Sequence, residues 1–447
     1  MPTFRKLLVN SLLSGVTSTF LWFAVTFWVY LETRSVVTTA MIGGAFSASS
    51  AFLGIVFGTF VDRHRKKTIM LFATTTSLSC YTLATVTYVL VDRDNLLELT
   101  NPAFWVFIFA ILAGSVAGNM RSIALSTCVT LLVAEPDRAR ANGMVGTVTG
   151  VSFAITSVFS GLVVGRLGMG WALGLALVVT LAAVLHLLTI TIDESARLSP
   201  ASAEVDAATH DDGHRWIDVR GALDAIRDTP GLMALILFAA FNNLLGGVFM
   251  ALMDAYGLSL VSVETWGFLF GALSFGFIVG GLIVARRGLG PNPLRMIIVG
   301  NLVNWTICTV FTLRSSIIPL AVGMFIWLTL IPVIEAAEQT VLQRAVPYER
   351  QGRVFGFAQT VEHAASPLTA FLIGPIAEVV FIPFMTTGNG VDLIGGWFGT
   401  GPERGLALIF TLAGVVGLIA TARAWTSKSY RTLVTTTTTQ PAALSAR

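Results

Sequence analysis

About twelve apolar runs, each long enough to cross a bilayer as a helix, dominate this chain. Lipid offers no partners for backbone N–H and C=O groups, so only helices and closed barrels can span it. A barrel would show short alternating segments, whereas these blocks are long and apolar throughout. The composition agrees: 54% of residues are hydrophobic and 12% are charged, against about 25% charged in soluble domains. The chain therefore reads as an all-α protein of a lipid bilayer. The spans are placed at 12–31, 41–61, 69–91, 103–133, 143–164, 171–192, 232–257, 266–285, 294–313, 317–341, 354–383 and 406–425. The first run is too long for a cleaved leader and is expected to stay as the first helix.

The spans fall into two sets of six. Residues 1–192 form the first set and 232–428 the second, joined by a polar linker at 193–231. Within the linker, Trp216–Arg227 has a helical period and reads as an amphipathic segment on the inner surface. Residues 429–447, with their threonine run, read as a disordered cytoplasmic tail. Lys and Arg set the orientation. With the N-terminus inside, the outer loops hold only Arg34, Arg93, Arg166, Arg314 and Arg404, and nearly every other basic residue falls on the inner side. That bias places both termini in the cytoplasm. Cys80, Cys128 and Cys308 lie within apolar runs and read as packing residues.

The two sets echo one another. Pro136-Asp137-Arg138-Ala139-Arg140-Ala141-Asn142-Gly143 precedes the fifth span, and Pro347–Gly356 precedes the eleventh. Gly58-Thr59-Phe60-Val61-Asp62-Arg63 has a degenerate echo in Gly281–Arg286. Matching segments at matching places are the mark of two repeats about an axis along the membrane normal.

The loop Gly58-x-x-x-Asp62-Arg63-x-x-Lys66-Lys67 resembles the signature between the second and third helices of the major facilitator superfamily. Within it the chain is similar to the drug–proton antiporter branch of macrolide-efflux, multidrug-efflux and enterobactin-exporter proteins. The residues that carry this are Pro136–Gly143, Glu338-Gln339-Thr340-x-Leu342-Gln343 and Pro347–Gly356. The resemblance implies twelve transmembrane helices in two pseudo-symmetric six-helix bundles, with helices one, four, seven and ten lining a central cavity. It also implies a cytoplasmic gate at Gly58, Asp62, Arg63, Lys66 and Lys67. Asp62 can accept hydrogen bonds from a helix N-terminus or an Arg, a contact made in one state and broken in the other. Arg65, Lys66 and Lys67 are also explained by topology alone.

Ionisable groups inside spans are costly and are functional candidates by default. Arg121 stands in the fourth span with Asn119, Ser122, Ser126 and Thr130 at helical spacing. Asp254 is near the outer end of the seventh, below Asn243, Gly247 and Met250. Glu335 and Glu338 are three apart in the tenth and so share a face. Two carboxylates there repel and lose hydration, which suits them to carrying a proton. Arg121 can pair with one of them or with an anionic substrate group. The eleventh span adds Gln359, Glu362, His363 and Ser366. The bland alternative for all of these is interhelical hydrogen bonding. Trp22, Phe23, Asn243 and Met250 are placed with Arg121 and Asn119 as cavity candidates; ordinary packing also explains the aromatic ones. Gly54-x-x-x-Gly58 and Gly276-x-x-x-Gly280-Gly281 permit close helix approach. Residues 386–402 are glycine-rich and too broken to span, which fits either an outer lid or a loose loop.

There is no nucleotide phosphate loop, metal-binding pair or nucleophile elbow. The expectation is a secondary transporter of the cell membrane and not an enzyme, with no cofactor or metal and no nucleic acid. Its partners are a small-molecule substrate and protons, and it acts as a monomer. Proton-coupled efflux of a lipophilic antibiotic, drug or metabolite is the leading reading. A facilitator or importer of a polar metabolite, or a membrane sensor on the same scaffold, is the alternative.

Overall fold

The structure is a computed structural model and describes residues 2–33, 36–98, 100–192, 194 and 218–439. Among them, twelve helices are long and apolar enough to cross a membrane. They are α1 (Pro2–Thr33), α2 (Val36–Arg63), α3 (Lys66–Leu90), α4 (Pro102–Leu132), α5 (Arg138–Leu167) and α6 (Met169–Thr189), then α7 (Leu232–Leu260), α8 (Val263–Arg287), α9 (Pro293–Val310), α10 (Ile317–Ala345), α11 (Gln351–Ile376) and α12 (Pro402–Thr426). Several starts are written in local chemistry. Asn101, Ser262 and Asn292 cap α4, α8 and α9 by accepting the N–H of Ala103, Thr265 and Arg295. Pro102 and Pro293 follow two of these caps, where no intrahelical N–H is needed.

Most helices run past the apolar window at one end. α1 starts at Pro2, ahead of the expected residue 12, because Phe4, Leu7 and Leu8 are buried although Arg5 and Lys6 interrupt the hydropathy. These extensions build one apolar core, shared by both halves, at the end that carries the Gly58–Lys67 loop. There Leu7, Val61 and Cys128 pack with Val284, Leu342 and Val354. At the far end the core divides in two. One part holds only first-half residues such as Trp28 and Phe107, the other only second-half residues such as Phe249 and Phe410. The molecule is thus closed at the loop end and split at the opposite end.

Of the linker, residues 195–217 lie outside the described residues, so the expected amphipathic segment is seen only from Asp218 on. Val219–Arg227 is helical and buries Ala222, Ala225 and Ile226. The expected disordered tail is corrected over its first part: Lys428–Thr439 is a helix. Its Leu433 is buried against Gly231, whose φ of 92° leaves room at the start of α7. Composition hid this, because three apolar residues in a polar helix, Tyr430, Leu433 and Val434, suffice when the core receives them.

The 386–402 segment is folded. Asn389–Leu393 and Gly395–Phe398 are short helices, and Gly401 N–H donates to the Met385 carbonyl at 2.9 Å. Arg404, read from sequence as an outer-loop charge, is 1% exposed. It donates to the carbonyls of Thr312 and Leu313, each at 2.9 Å, and lies 4.0 Å from the Phe398 ring. It satisfies the chain just past the C-terminus of α9. Arg404→Met should cost about 2–4 kcal/mol by orphaning those carbonyls. A thermal unfolding midpoint in detergent equal to wild type would refute this role.

Candidate functional site

The closed end is built from two helix crossings related by the repeat. In the first, Gly54 and Gly58 of α2 face Gly352 and Gly356 of α11. A Cβ on Gly58 would strike the Gly352 carbonyl, and one on Gly356 the Gly54 carbonyl. This close approach lets Ile55 N–H donate to Thr360 Oγ1 at 3.1 Å. It also brings Asp62 onto the N-terminus of α11. Asp62 accepts the N–H groups of Gly352 and Arg353 at 2.6 and 2.8 Å and the Arg353 Nε at 3.2 Å. Its side chain is 2% exposed. Four orphan N–H groups and the helix dipole make that terminus a natural carboxylate partner. Arg353 reaches on to Asp218, which caps the Val219–Arg227 helix. The pair Arg350–Asp228 adds a second link at 3.1 Å.

The second crossing sets α5 against α8, with Gly143 on Val284 and Ala285 and Gly281 on Thr147. Ala285 stands where Asp62 stands in the other repeat, so no carboxylate serves this seam. A neutral network replaces it. Asn142 Nδ2 donates to Thr340 Oγ1 and Gln343 Oε1, both at 2.9 Å, and Gln343 Nε2 donates to the Ser126 carbonyl at 3.1 Å. Sequence reading placed Gln343 and Asn142 in two motifs that carry the resemblance, but did not pair them. It likewise missed Asp218 and the part played by Arg353. The alignment of Arg140 with Arg353 before the paired helices was the available signal.

The other loop residues divide. Lys66 is buried; its Nζ donates to the Val61 carbonyl at 2.7 Å and lies 5.2 Å from the Tyr348 ring centre. Lys67 Nζ donates to the Leu188 carbonyl, and Arg63 is exposed. Lys66 thus closes the C-terminus of α2 and touches the other half, which topology alone does not require. Asp62→Asn should weaken the closed end by about 1–3 kcal/mol, since the amide keeps an acceptor but loses the charge facing Arg353. Interhalf distance measurements between spin labels at the loop end should then show a larger open fraction; an unchanged distribution would remove Asp62 from the gate.

Above the closed end lies a cavity of about 450 Å³ in the first bundle. Its wall is largely apolar in surface but carries many hydroxyls, including those of Ser14, Ser18, Ser77, Ser115, Ser122 and Ser152. Arg121 and Asn119 are on it, as is Trp22, which stacks on Phe46 at 4.4 Å. Phe23 meets the wall residue Phe153 edge-on at 6.1 Å, and Phe153 in turn meets Phe277 of α8 at 5.9 Å. Arg121 is 5% exposed. It donates to Thr74 Oγ1 at 3.0 Å, to Ser11 Oγ at 3.3 Å and to Asn10 Oδ1. Asn10 is itself held by the Ala183 carbonyl and His186. Among the described residues Arg121 forms no ion pair, so the expected alternative of a Glu335 or Glu338 partner is not what this conformation holds.

The acids gather on the second bundle. Glu338 of α10 faces Glu362 of α11, with Glu335 beside them. Glu338 is 9% exposed, while Glu335 has an exposed side chain although it lies well inside α10. His363, next to Glu362, reaches the wall of the first bundle's cavity. Sequence reading named Glu335, Glu338 and Glu362 as candidates, but only the packing of α10 on α11 brings Glu362 against Glu338. Asp254 stands apart, accepting from Trp266 Nε1 at 2.9 Å and tying α7 to α8. Asn243 and Met250 are exposed on the same face of α7 as Asp254. Asn242, their neighbour, accepts from Trp305 Nε1 at 2.7 Å.

Two six-helix bundles, joined at one end and parted at the other, with a cavity in the first, define a membrane transporter and not an enzyme. The chain belongs to the Major Facilitator Superfamily, whose family model matches residues 7–370. It is 22% identical over 400 residues to the enterobactin exporter EntS of Shigella flexneri, covering 88% of this chain and 89% of that one. It is 21% identical over a stretch of the same length to the EntS of Escherichia coli O81 (strain ED1a), with the same coverage. The fold is shared with the human organic anion transporter MFSD10, at TM-score 0.67 and 13% identity, covering 94% of this chain and all (100%) of the other. A bacterial homologue of the iron transporter ferroportin in an outward-facing state superposes at TM-score 0.66 and 14% identity, covering 96% and 100%.

Proposed function

We propose that this transporter exports a small organic molecule in exchange for protons by alternating access. The observation that carries the reading is the trio Glu335, Glu338 and Glu362, set well inside the spans of a membrane bundle. Carboxyl groups there are rare and mark ion or proton paths. The basic loops are on the cytoplasmic side and both termini with them. The closed loop end then seals the cytoplasmic face, and the split end opens outward. The enterobactin-exporter relatives support outward transport. The hydroxyls set in an otherwise apolar wall favour an amphipathic substrate over the wholly lipophilic one implied by the antiporter resemblance.

The test is flux in proteoliposomes with an imposed pH gradient, using a panel of dyes and organic acids. Uphill movement of at least one compound that stops when an ionophore dissipates the gradient is the expected result. Flux indifferent to the gradient would replace the exchanger with a facilitator.

A further inference from the structure

We propose that the cavity of the first bundle is an organic-anion site, in which Arg121 holds an acidic head group and Trp22, Phe46 and Phe153 receive a flat apolar body. The inference rests on the transport reading above and specifies its substrate class. Arg121 has three neutral partners, Thr74, Ser11 and Asn10, which orient the guanidinium without cancelling its charge. Its Nε has no acceptor among the described residues. No Asp or Glu lines the cavity, and the other titratable wall residues are His363 and Tyr81. A buried charge without a counter-ion is costly, and a ligand carrying the missing negative charge removes that cost.

The fork of a guanidinium matches a carboxylate or a similar planar oxyanion. The surrounding hydroxyls can donate to the remaining oxygens. Asn119 Nδ2, a further donor on this wall, is also without a partner among the described residues. The volume of about 450 Å³ suits a drug-sized molecule. The Trp22–Phe46 stack supplies the apolar surface that such a molecule's body needs. The negative ligand on one bundle and the acids on the other are then separate charges that one conformational change can move in opposite directions.

The charge of the cavity can be read without knowing the substrate. In the full chain in lipid nanodiscs, with Cys80, Cys128 and Cys308 replaced by Ala, Ser122→Cys puts a thiol on an exposed part of the wall. Its reaction rates with an anionic methanethiosulfonate (ethylsulfonate) and a cationic one (ethyltrimethylammonium) are compared with the same ratio for a free thiol. The anionic reagent should be favoured by at least about tenfold over the free-thiol ratio, as a nearby unpaired cation in a low-dielectric wall requires. Arg121→Gln should abolish the preference and Arg121→Lys keep it. Salicylate should slow the anionic reaction more than its neutral counterpart salicylamide does.

A free-thiol ratio in the Arg121 protein overturns the proposal, and so does a thiol that neither reagent reaches. So does equal protection by the acid and the amide. If Arg121→Gln fails to fold, the ratio with Arg121 intact and its survival in Arg121→Lys decide. No proton gradient is present in this assay, so its failure leaves proton coupling standing, and gradient-independent flux leaves the anion site standing.

Discussion

Glu338→Gln should reduce gradient-driven flux by at least about a hundredfold, the lower end of the range seen when a positioned proton-transfer group is lost. Gln keeps the size and the hydrogen-bonding capacity of the side chain and removes the exchangeable proton. Glu338 is the member of the acidic trio that is both buried and in contact with Glu362. Exchange of labelled for unlabelled substrate without a gradient should survive, because binding and the conformational cycle need no proton transfer at that site. Glu335→Gln should give a smaller loss, since Glu335 stands beside the pair instead of within it. The measurement is paired: uphill flux and gradient-free exchange on the same proteoliposomes. Equal loss of both would make Glu338 a packing residue, and wild-type uphill flux would take it out of coupling altogether.

Gly58→Leu should abolish transport and open the loop end. Its side chain would run into the Gly352 carbonyl and the Gly356 Cα, both of them backbone atoms with no rotamer to give. Overpacking of this kind costs about 1–3 kcal/mol. Here it also lifts the N-terminus of α11 away from Asp62, so the charged hydrogen bonds to Gly352 and Arg353 go with it. Transport requires the closed end to form in every cycle, so this loss stops the cycle and not merely one conformation. A thiol at the buried position 340 reports the opening. In Thr340→Cys its maleimide labelling from the loop side should rise by at least about tenfold, the population shift that about 1.4 kcal/mol produces. Unchanged labelling together with wild-type flux would show that α2 and α11 tolerate separation. Gly143→Leu tests the second crossing in the same way, where Val284 and Ala285 are the obstruction.

The asymmetry between the two crossings gives these substitutions different signatures. The α2–α11 seam is charged, with Asp62, Arg353 and Asp218 in one chain of contacts, and it includes the end of the linker. Beside the α5–α8 crossing the side-chain bonds are between amides and a hydroxyl, from Asn142 of α5 to Thr340 and Gln343 of α10. Salt screens partly exposed pairs such as Arg353–Asp218 more than buried amide bonds. The repeated sequence therefore yields one fold twice and two different locks.

Much was legible before the fold. Hydropathy placed all the crossing helices, because a lipid solvent leaves few choices for a run of apolar residues. Repeated motifs before the fifth and eleventh spans gave the two bundles. The position of Asp62 beside Gly58 pointed to a helix-terminus contact, and the structure places Asp62 in one. What stayed hidden was each feature that depends on a distant partner. Arg404 looked like an outer-loop charge until the end of α9 met it. Residues 428–439 looked disordered until Gly231 offered a notch to Leu433. Asp254, one of the acids singled out, is found bonded to Trp266, away from the other acids.

From the sequence alone came the solvent, the helix count, the twofold plan and the rare ionisable residues inside the spans. These depend on local composition and on spacing along one helix. The tertiary structure decided which of those residues meet: Glu362 joins Glu338, Arg121 faces neutral partners, and Asn142 finds Gln343. Such pairings span tens to hundreds of residues and depend on which helix faces turn toward each other, a property of the packed bundle and of no single segment.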